Sequence, residues 1–412
     1  MPTTPALSSV IASSRDRAGN DPIFVLNAEA ARRRAAGESI VNATIGALMT
    51  DDGRLAVMPS VLDAFARAHS AGSAGYAPIS GVPAFRQAVL SSLFSDGPLA
   101  NRSTAVATPG GTGAIYQAVV NFLEPGQALL TSSYFWGPYR ALTAHAGRGI
   151  DTFRMFGPDG AFDATALESA MDRQAETQGR VLLVLNTPCH NPTGYSLAPN
   201  EWQAIGDIVG RVGSRVPVTV LIDAAYMRYG GASATTWIEA VPDLLRAATV
   251  LVAWTASKSY TQYGSRVGAL VALHRDPDEL AQIDNALGYT CRATWSNCNH
   301  LGQLAVTELL TEPELVARSD EERDGLVRLL QERIDVFNEH SASAGLRTPR
   351  YDSGFFVAVF TEDSAATART MRDEGVYVVP IDGAVRVALC CTPAEVVPRM
   401  IEVLARGVAA AG

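Results

Sequence analysis

The residue with the most distinctive chemistry in this sequence is Lys258, because it is the only lysine. The 412 residues carry 33 basic side chains, of which 32 are arginines and one is this lysine. Arginine stays protonated in proteins, whereas a lysine amine can lose its proton and form a Schiff base with a carbonyl group. The alternative is a surface lysine with no special role. The residues around Lys258 decide between the two interpretations.

Two neighbours of Lys258 suit a phosphate group. Thr255 directly follows an apolar run at 250–254, and Arg266 comes eight residues after the lysine. Open α/β sheets bind ligands at the carboxyl ends of their parallel strands. A hydroxyl and a guanidinium at such a place suit a phosphate dianion. A reactive amine beside a phosphate site indicates pyridoxal phosphate, whose aldehyde condenses with lysine.

Such a site needs three more parts, and the sequence offers a candidate for each. The segment 108–114 (TPGGTGA) opens a helical pattern, whose free N–H groups can bind phosphate. It is not a dinucleotide fingerprint, since Tyr116 stands where the third glycine should be. Asp223 ends another apolar run, where a carboxylate can keep the pyridine nitrogen protonated, and Tyr226 can reach the same crevice. The aromatic cluster at 134–139 can supply a ring that stacks on the cofactor.

Together these residues resemble a known family, the class I aminotransferases of fold type I. The likeness is closest to the aspartate aminotransferase branch and extends through nearly the whole chain. Its motifs occur in the family's order and rough spacing: 191–194 (NPTG), Asp223 with Tyr226, Ser257 with Lys258, and Arg266. The resemblance implies an α/β fold, in which a large domain with a mostly parallel seven-stranded sheet flanked by helices carries a smaller α+β domain.

The resemblance also implies a role for each residue of the site. The predicted catalytic residues are Lys258, which would form the Schiff base, Asp223, which would pair with the pyridinium nitrogen, and Tyr226. Tyr226 and Asn191 would bind the phenolic oxygen of the cofactor, and Trp136 would stack on its ring. The residues expected to hold the phosphate are Gly111, Thr112, Thr255, Arg266 and, reaching across from the neighbouring subunit, Tyr76. The implied assembly is a homodimer with active sites at the interface.

Four residues carry the prediction about the substrate. Arg386 matches the family's clamp for the α-carboxylate, because a guanidinium fork can bond two carboxylate oxygens. Arg292, with Ser-Asn following at 296–297, resembles the segment that grips a distal carboxylate from the other subunit, which favours aspartate and glutamate. Asn191 is expected to face the substrate as well. Thr44 stands near the bound substrate where the aspartate branch has a glycine, so an aromatic or other non-acidic donor stays open as an alternative.

A second departure from that branch lies behind the cofactor aspartate. Tyr139 and Asn186 stand where the branch tends to have histidines. Groups that hydrogen-bond a ligand-binding side chain tune its charge and orientation. We therefore expect this exchange to alter the electronics of the cofactor.

The predicted reaction is a ping-pong transamination in which Lys258 is the base and 2-oxoglutarate is the expected acceptor. Other fold type I enzymes use the same cofactor, and the core motifs leave a β-lyase, a decarboxylase or an amino-acid-modifying enzyme of a specialised pathway open. A regulator with an aminotransferase-like domain would need a DNA-binding module, for which the roughly forty residues before Ile40 are too few. A dinucleotide-dependent oxidoreductase fails on the glycine spacing.

The elements that must position these side chains alternate along the chain. Short apolar runs separated by helical patterns are what a parallel sheet covered on both faces requires. After about residue 312 the pattern changes to a long charged helix and a short strand pair, 376–379 with 385–389. The predicted domains are therefore 50–311, which binds the cofactor, and 1–49 with 312–412, which form the small domain. The predicted strands are 104–108, 128–131, 181–185, 218–222, 250–254, 267–273 and, in the small domain, 355–360.

Composition and charge exclude several other classes of protein. With 47% hydrophobic and 18% charged residues, the chain can bury a large core. Its net charge of −9 argues against a nucleic-acid surface. Five cysteines without C-x-x-C spacing predict free thiols in a reducing compartment and no metal site. We see no secretory signal and no apolar run of about eighteen residues, so the predicted location is cytoplasmic, without a membrane partner.

Overall fold

The fold is built around a seven-stranded sheet, which a computed structural model shows within the residues it describes: 9–15, 17, 22–70, 72–95 and 97–412. The strands are β1 (Val41–Asn42), β2 (Ser103–Pro109), β3 (Ala128–Ser132), β4 (Gly149–Phe153), β5 (Val181–Asn186), β6 (Val218–Asp223), β7 (Thr249–Thr255), β8 (Val267–Leu273), β9 (Phe356–Phe360), β10 (Val376–Tyr377), β11 (Val379–Ile381) and β12 (Ala384–Ala388). The helices are α1 (Ala12–Arg15), α2 (Pro22–Ala35), α3 (Pro59–Ala68), α4 (Pro83–Phe94), α5 (Gly110–Phe122), α6 (Pro138–His145), α7 (Ala164–Gln178), α8 (Pro199–Gly213), α9 (Thr236–Leu244), α10 (Ala256–Ser259), α11 (Pro277–Thr294), α12 (His300–Thr311), α13 (Pro313–Ser343), α14 (Ser364–Asp373) and α15 (Val397–Ala411).

The order of the strands in the large sheet is β2-β8-β7-β6-β5-β3-β4. Strands β3 to β7 pair in parallel, and β8 runs antiparallel to both of its neighbours, β2 and β7. Six strands therefore share one direction and β8 alone opposes them. The predicted fold class, an α/β fold with a mostly parallel seven-stranded sheet, is confirmed. The shared direction brings the carboxyl ends of β5, β6 and β7 to one edge of the sheet.

Helices cover both faces of this sheet, which explains the continuous apolar runs. In β7, Val250 and Trp254 belong to the apolar cluster on one face, whereas Leu251 and Ala253 belong to the cluster on the other. Successive side chains of a strand point to opposite faces, so a strand buried on both has to be apolar at every position. The strands therefore form a rigid frame for the polar groups at their ends.

The chain after α12 forms a second apolar core beside the sheet. The long helix α13 packs there with a three-stranded antiparallel sheet of order β11-β12-β9, and β1 pairs in parallel with β10. Side chains from the turn after β6, Tyr226 and Tyr229, belong to this second core. The two cores therefore meet beside the carboxyl end of β6. The domain bounds 50–311 and 1–49 with 312–412 stay a prediction.

Two details differ from the expected elements. The edge strand β4 was not predicted, because it is only half-buried and Asp151 and Thr152 interrupt its apolar pattern. The predicted pairing of 376–379 with 385–389 is wrong for its first half, since β10 pairs with β1 and only β11 pairs with β12. An apolar run does not reveal which partner each half takes. No helix within the described residues is long and apolar enough to cross a membrane.

Candidate active site

A cavity of about 220 Å³ opens at the carboxyl ends of β5, β6 and β7. The last residues of these strands, Asn186, Asp223 and Thr255, all contribute to its wall. This edge of an open α/β sheet is the usual place for a ligand. The fourteen lining residues are Gly111, Thr112, Ile115, Trp136, Asn186, Asn191, Asp223, Ala225, Tyr226, Thr255, Ser257, Lys258, Tyr263 and Arg266.

The single lysine lies in this wall and not on the outer surface. Lys258 is held in the short helix α10, where the Thr255 hydroxyl caps the first turn by accepting a hydrogen bond from the Ser257 amide at 3.1 Å. Its Nζ donates to the Gly46 carbonyl at 2.5 Å and lies 4.6 Å from the centre of the Tyr263 ring. The neighbours of the amine are thus one carbonyl and aromatic rings.

This environment favours the neutral form of the amine. Burial lowers the pKa of Lys258 to about 8, and the positive charges of Arg386 and Arg266 act in the same direction, against an opposing effect of Cys390. A buried ammonium loses its hydration, so proton release becomes easier. A side-chain amine with a pKa near neutral pH can act as a nucleophile and as a base.

One end of the cavity is suited to a phosphate dianion. Gly111 and Thr112 lie in the first turn of α5, where the backbone N–H groups have no partner within the helix. Arg266 reaches the same place and donates to the Ser257 hydroxyl at 3.1 Å and to the Tyr263 carbonyl at 2.9 Å. All its partners in the described part of the chain are neutral oxygens, and burial lowers its pKa. A guanidinium without a carboxylate partner beside free amides favours an anion.

Gly110 makes room for that guanidinium. A Cβ atom at this position would lie 2.2 Å from Nη2 of Arg266. The backbone of Gly110 also has a φ of +70°, which side chains other than that of glycine rarely adopt. The first glycine of the glycine-rich segment is therefore required by geometry on two counts.

Asp223 forms the opposite end of the cavity. Its carboxylate is buried and accepts a hydrogen bond at Oδ2 from the Tyr139 hydroxyl at 2.6 Å. Burial raises the pKa of Asp223 to about 6, against the lowering effect of the bonds from Tyr139 and the Ala225 amide. A buried carboxylate is costly unless a cation compensates it. A protonated pyridine nitrogen would supply that cation.

Asn191 and Tyr226 lie between these two ends. Asn191 is joined to Pro192 by a cis peptide bond, and its side chain hydrogen-bonds the Tyr226 hydroxyl. Burial raises the pKa of Tyr226 well above its ordinary value, so the phenol stays protonated and can donate. Trp136 completes the wall, with its ring edge-on to Tyr139 at 5.6 Å between ring centres.

Arg386, predicted to bind the α-carboxylate, and Thr44, predicted to lie near the substrate, meet beside Asn191. Arg386 approaches the Asn191 side-chain oxygen at 3.5 Å and donates to the Thr44 carbonyl at 2.7 Å. Its guanidinium lies over the Phe356 ring, 4.4 Å from the centre. Thr44 turns its hydroxyl to Asn42 and presents its backbone to Arg386.

Four predicted residues do not line the cavity. Arg386 and Thr44 lie beside it, next to Asn191, whereas Tyr76 and Arg292 are exposed. Tyr76 is 93% exposed, and Arg292 is an exposed residue near the end of α11 that donates to the Ser296 hydroxyl at 2.7 Å. Both were expected to act on the neighbouring subunit. Their roles stay a prediction.

Some cavity residues have no role predicted from the sequence. Ser257 and Tyr263 were not assigned, although their places between Thr255 and Arg266 on a ligand-binding turn were a usable signal. Gly46 was also missed, because a backbone carbonyl that contacts Lys258 leaves no trace in residue types. His190 is buried against Thr193, and burial lowers its pKa to about 3, so it is neutral.

Comparison with known proteins identifies relatives that are all aminotransferases. A family described as aminotransferase class I and II matches residues 38–404. An aspartate aminotransferase from Pseudomonas aeruginosa is 28% identical over 383 residues, which cover 89% of this chain and 92% of that protein.

Solved structures agree with the sequence matches. The crystal structure of an aminotransferase from Anaerococcus prevotii is 30% identical with a TM-score of 0.93, covering 98% of this chain and 100% of that one. An aromatic-amino-acid aminotransferase from Burkholderia pseudomallei, covalently bound to pyridoxal phosphate, is 26% identical with a TM-score of 0.81 and covers 96% and 99%.

Proposed function

Because the chain belongs to the class I and II aminotransferases, we propose that it moves an amino group from an acidic L-amino acid, aspartate or glutamate, to a 2-oxo acid. It is a pyridoxal-phosphate-dependent aminotransferase. The observation that carries the assignment of the site is the meeting of three groups in one cavity. These are the amine of Lys258, the buried carboxylate of Asp223 and the uncompensated guanidinium of Arg266.

The cavity fits the cofactor at both ends. Arg266, Thr255 and the α5 amides at Gly111 and Thr112 would hold the phosphate, and Asp223 would pair with the ring nitrogen. The room left by Gly110 and the buried, unpaired charge of Asp223 both support this orientation. Tyr226 and Asn191 would hydrogen-bond the phenolic oxygen, and Trp136 would cover one face of the ring. When bound, pyridoxal phosphate supplies an electron sink for the pair of electrons that remains when a Cα–H bond breaks.

Residues of the chain would bind the substrate, move its proton and exclude water. Arg386 would bind the α-carboxylate of the amino acid and orient its Cα–H bond. Lys258, once its Nζ is free, would take the Cα proton and carry it to the C4′ carbon of the cofactor. Asp223 stays ionised opposite the protonated ring nitrogen. The rings of Tyr263, Tyr226 and Phe355 around Nζ limit the access of water to the transferred proton. The second half-reaction repeats these steps in reverse with the 2-oxo acid.

A homodimer is part of the proposal, since Tyr76 would reach the phosphate of the neighbouring subunit and Arg292 its substrate. Exposed apolar side chains support a surface that a partner covers, because large exposed apolar area is costly in water. They include Leu55, Val57, Leu62 and Ile79. The cytoplasmic location expected from the cysteines stays a prediction.

A glycine variant tests the phosphate end of the cavity. We expect Gly110→Ala to weaken pyridoxal phosphate binding at least about tenfold, because the new methyl group displaces the Arg266 guanidinium and a charge-assisted hydrogen bond contributes about 1.5–3 kcal/mol. The matched control is Gly126→Ala, where φ is +87° and a Cβ would have no atom within 4 Å. Both variants should lose stability through backbone strain. Equal cofactor affinity in the two, measured by fluorescence titration, would contradict the assignment of the phosphate site.

The substrate proposal is tested with a panel of amino acids. We expect aspartate and glutamate to convert the holoenzyme's cofactor, followed by absorbance, faster than tyrosine or phenylalanine does. Arg292→Leu should lower kcat/KM for aspartate at least about tenfold and leave aromatic donors nearly unchanged, since only the acidic substrates lose a charged bond. Arg275→Leu, which removes an exposed arginine that hydrogen-bonds the Arg246 carbonyl, is the control.

The same panel separates the rival functions. A relative from Burkholderia pseudomallei is an aromatic-amino-acid aminotransferase, so an aromatic donor is the second candidate. A response confined to aromatic amino acids would overturn the acidic donor and keep the transaminase. Release of ammonia or carbon dioxide without an amino-acid product would instead indicate a lyase or a decarboxylase.

A further inference from the structure

We infer that Tyr139 is a positioning residue, which holds the Asp223 carboxylate through a neutral donor so that its charge toward the cofactor stays constant across neutral pH. The inference rests on the proposed role of Asp223 and adds a residue that lies behind the cavity wall. Tyr139 touches neither the cavity nor the predicted substrate groups; it acts through Asp223.

The geometry fixes the phenol in one place. Tyr139 lies in the first turn of α6 and is fully buried. Phe135 stacks on its ring at 6.3 Å with an angle of 4°, and Trp136 packs edge-on at 5.6 Å. A ring held on two sides cannot swing away, so the bond of 2.6 Å to Oδ2 of Asp223 sets the orientation of the carboxylate.

The side chain of Asn186 supports the same arrangement through hydrogen bonds to the backbone of its neighbours. Its Nδ2 donates to the main-chain carbonyl of Asp223 at 2.9 Å, and its Oδ1 accepts from the main-chain N–H of Asn191 at 2.6 Å. The end of β6 is thereby tied to the turn that carries Asn191. The side chains that bond the Asp223 carboxylate and its main-chain carbonyl, Tyr139 and Asn186, are thus both uncharged.

The phenol keeps its proton over the working range. Burial raises the pKa of Tyr139 well above its ordinary value, and the negative charge of Asp223 acts in the same direction. The other ionisable groups that line the cavity with Asp223 are Tyr226, from the turn after its own strand, and Lys258, Tyr263 and Arg266. A histidine in the place of Tyr139 would change its charge between about pH 5 and 8.

The holoenzyme offers a direct test through the pH titration of the cofactor's visible absorbance and through cofactor affinity. We expect Tyr139→Phe to raise the titration midpoint by about half a pH unit or more, because the carboxylate then carries more charge toward the ring. Cofactor affinity should fall about tenfold, since the carboxylate loses its orientation. Tyr139→His should add a second titration step between about pH 5 and 8, both to the absorbance and to the profile of kcat/KM.

The matched control is Tyr195→Phe, because Tyr195 is also buried and donates to a carboxylate, that of Glu201, at 2.5 Å. It should behave like the wild type in all three measurements. The inference is overturned if Tyr139→Phe leaves the midpoint unchanged or if Tyr195→Phe produces the same shift. Should Tyr139→Phe be too unstable to purify, Tyr139→His, which keeps a donor, carries the test. A wild-type protein that binds no cofactor would instead refute the proposed function.

Discussion

Lys258→Ala is expected to abolish transamination, with kcat lower by about 10⁴-fold or more, in a protein that still folds. The variant loses both the nucleophile that bonds the cofactor and the base that moves the Cα proton. Folding should tolerate it, because the buried ammonium is unfavourable in its own site. The measurements are single-turnover absorbance with the best donor and the mass of the protein after borohydride reduction.

The composition makes this experiment unusually clean. Since the chain has one lysine, a cofactor trapped by borohydride has a single side chain to which it can be attached. Lys258→Arg is the control, because it keeps a positive charge but no reactive amine. It should be as inactive as the alanine variant. Retained turnover or a trapped adduct in either variant would refute the role of Lys258.

The pH dependence of cofactor attachment should follow the same amine. Its pKa lies near 8 and below the ordinary 10.5, so the reactive neutral form increases as pH rises and becomes the major form above about pH 8. The attachment rate should therefore rise up to about pH 8 and then level off. Below pH 8 the buried positive charge lowers the free energy of unfolding by its full amount. This loss of stability disappears as the pH rises from 8 to 10.5, because the unfolded chain there holds more protons than the folded one.

Asp223→Asn is expected to lower kcat about a hundred- to a thousandfold while making the cofactor-free protein more stable at pH 8. The amide cannot keep the ring nitrogen protonated, and a single preorganised electrostatic group contributes about 10²–10³ in rate. The gain in stability follows from the raised pKa, about 6 against an ordinary 3.8. Between these values the folded state holds a proton that the unfolded state has lost, so stability falls as pH rises and the penalty is complete above about pH 6.

At pH 8 the gain in the free energy of unfolding should reach about 3 kcal/mol, and near pH 4 it should vanish. Denaturant unfolding at both pH values measures it. Asp163→Asn is the control: Asp163 is also buried, but it is ion-paired with Arg154 at 2.6 Å and caps α7 through the Ala166 amide, so this variant should be less stable at pH 8. A destabilised Asp223→Asn would show that the carboxylate is satisfied without a cation.

The sequence was sufficient for the parts of the site that are local. Asp223, Thr255 and Lys258 each end or follow a continuous apolar run, and parallel strands must bring such ends to one edge of the sheet. The glycine-rich segment follows the end of β2, and Arg266 precedes the start of the antiparallel strand β8. Both therefore lie at the same edge of the sheet. The fold class follows from the same runs, since strands buried on both faces need helices on both sides.

The remaining parts depend on contacts that no local pattern encodes. Tyr76 and Arg292 were expected to act across a subunit boundary, where the groups that would reveal their roles belong to another chain. The bond from Tyr139 to Asp223 joins residues 84 positions apart, and the Gly46 carbonyl contacts Lys258 across 212 positions. The half-buried strand β4 lacked the apolar run by which the other strands were found.

The backbone of residues 44–46 contacts both Arg386 and Lys258. The Thr44 carbonyl holds the guanidinium of Arg386, and two residues later the Gly46 carbonyl holds the amine of Lys258. The ring of Phe356 packs against this stretch, because a Cβ on Gly46 would lie 3.0 Å from it. Arg386 and Lys258, the proposed carboxylate clamp and proton carrier, thus share one support, so a shift of residues 44–46 would move both side chains.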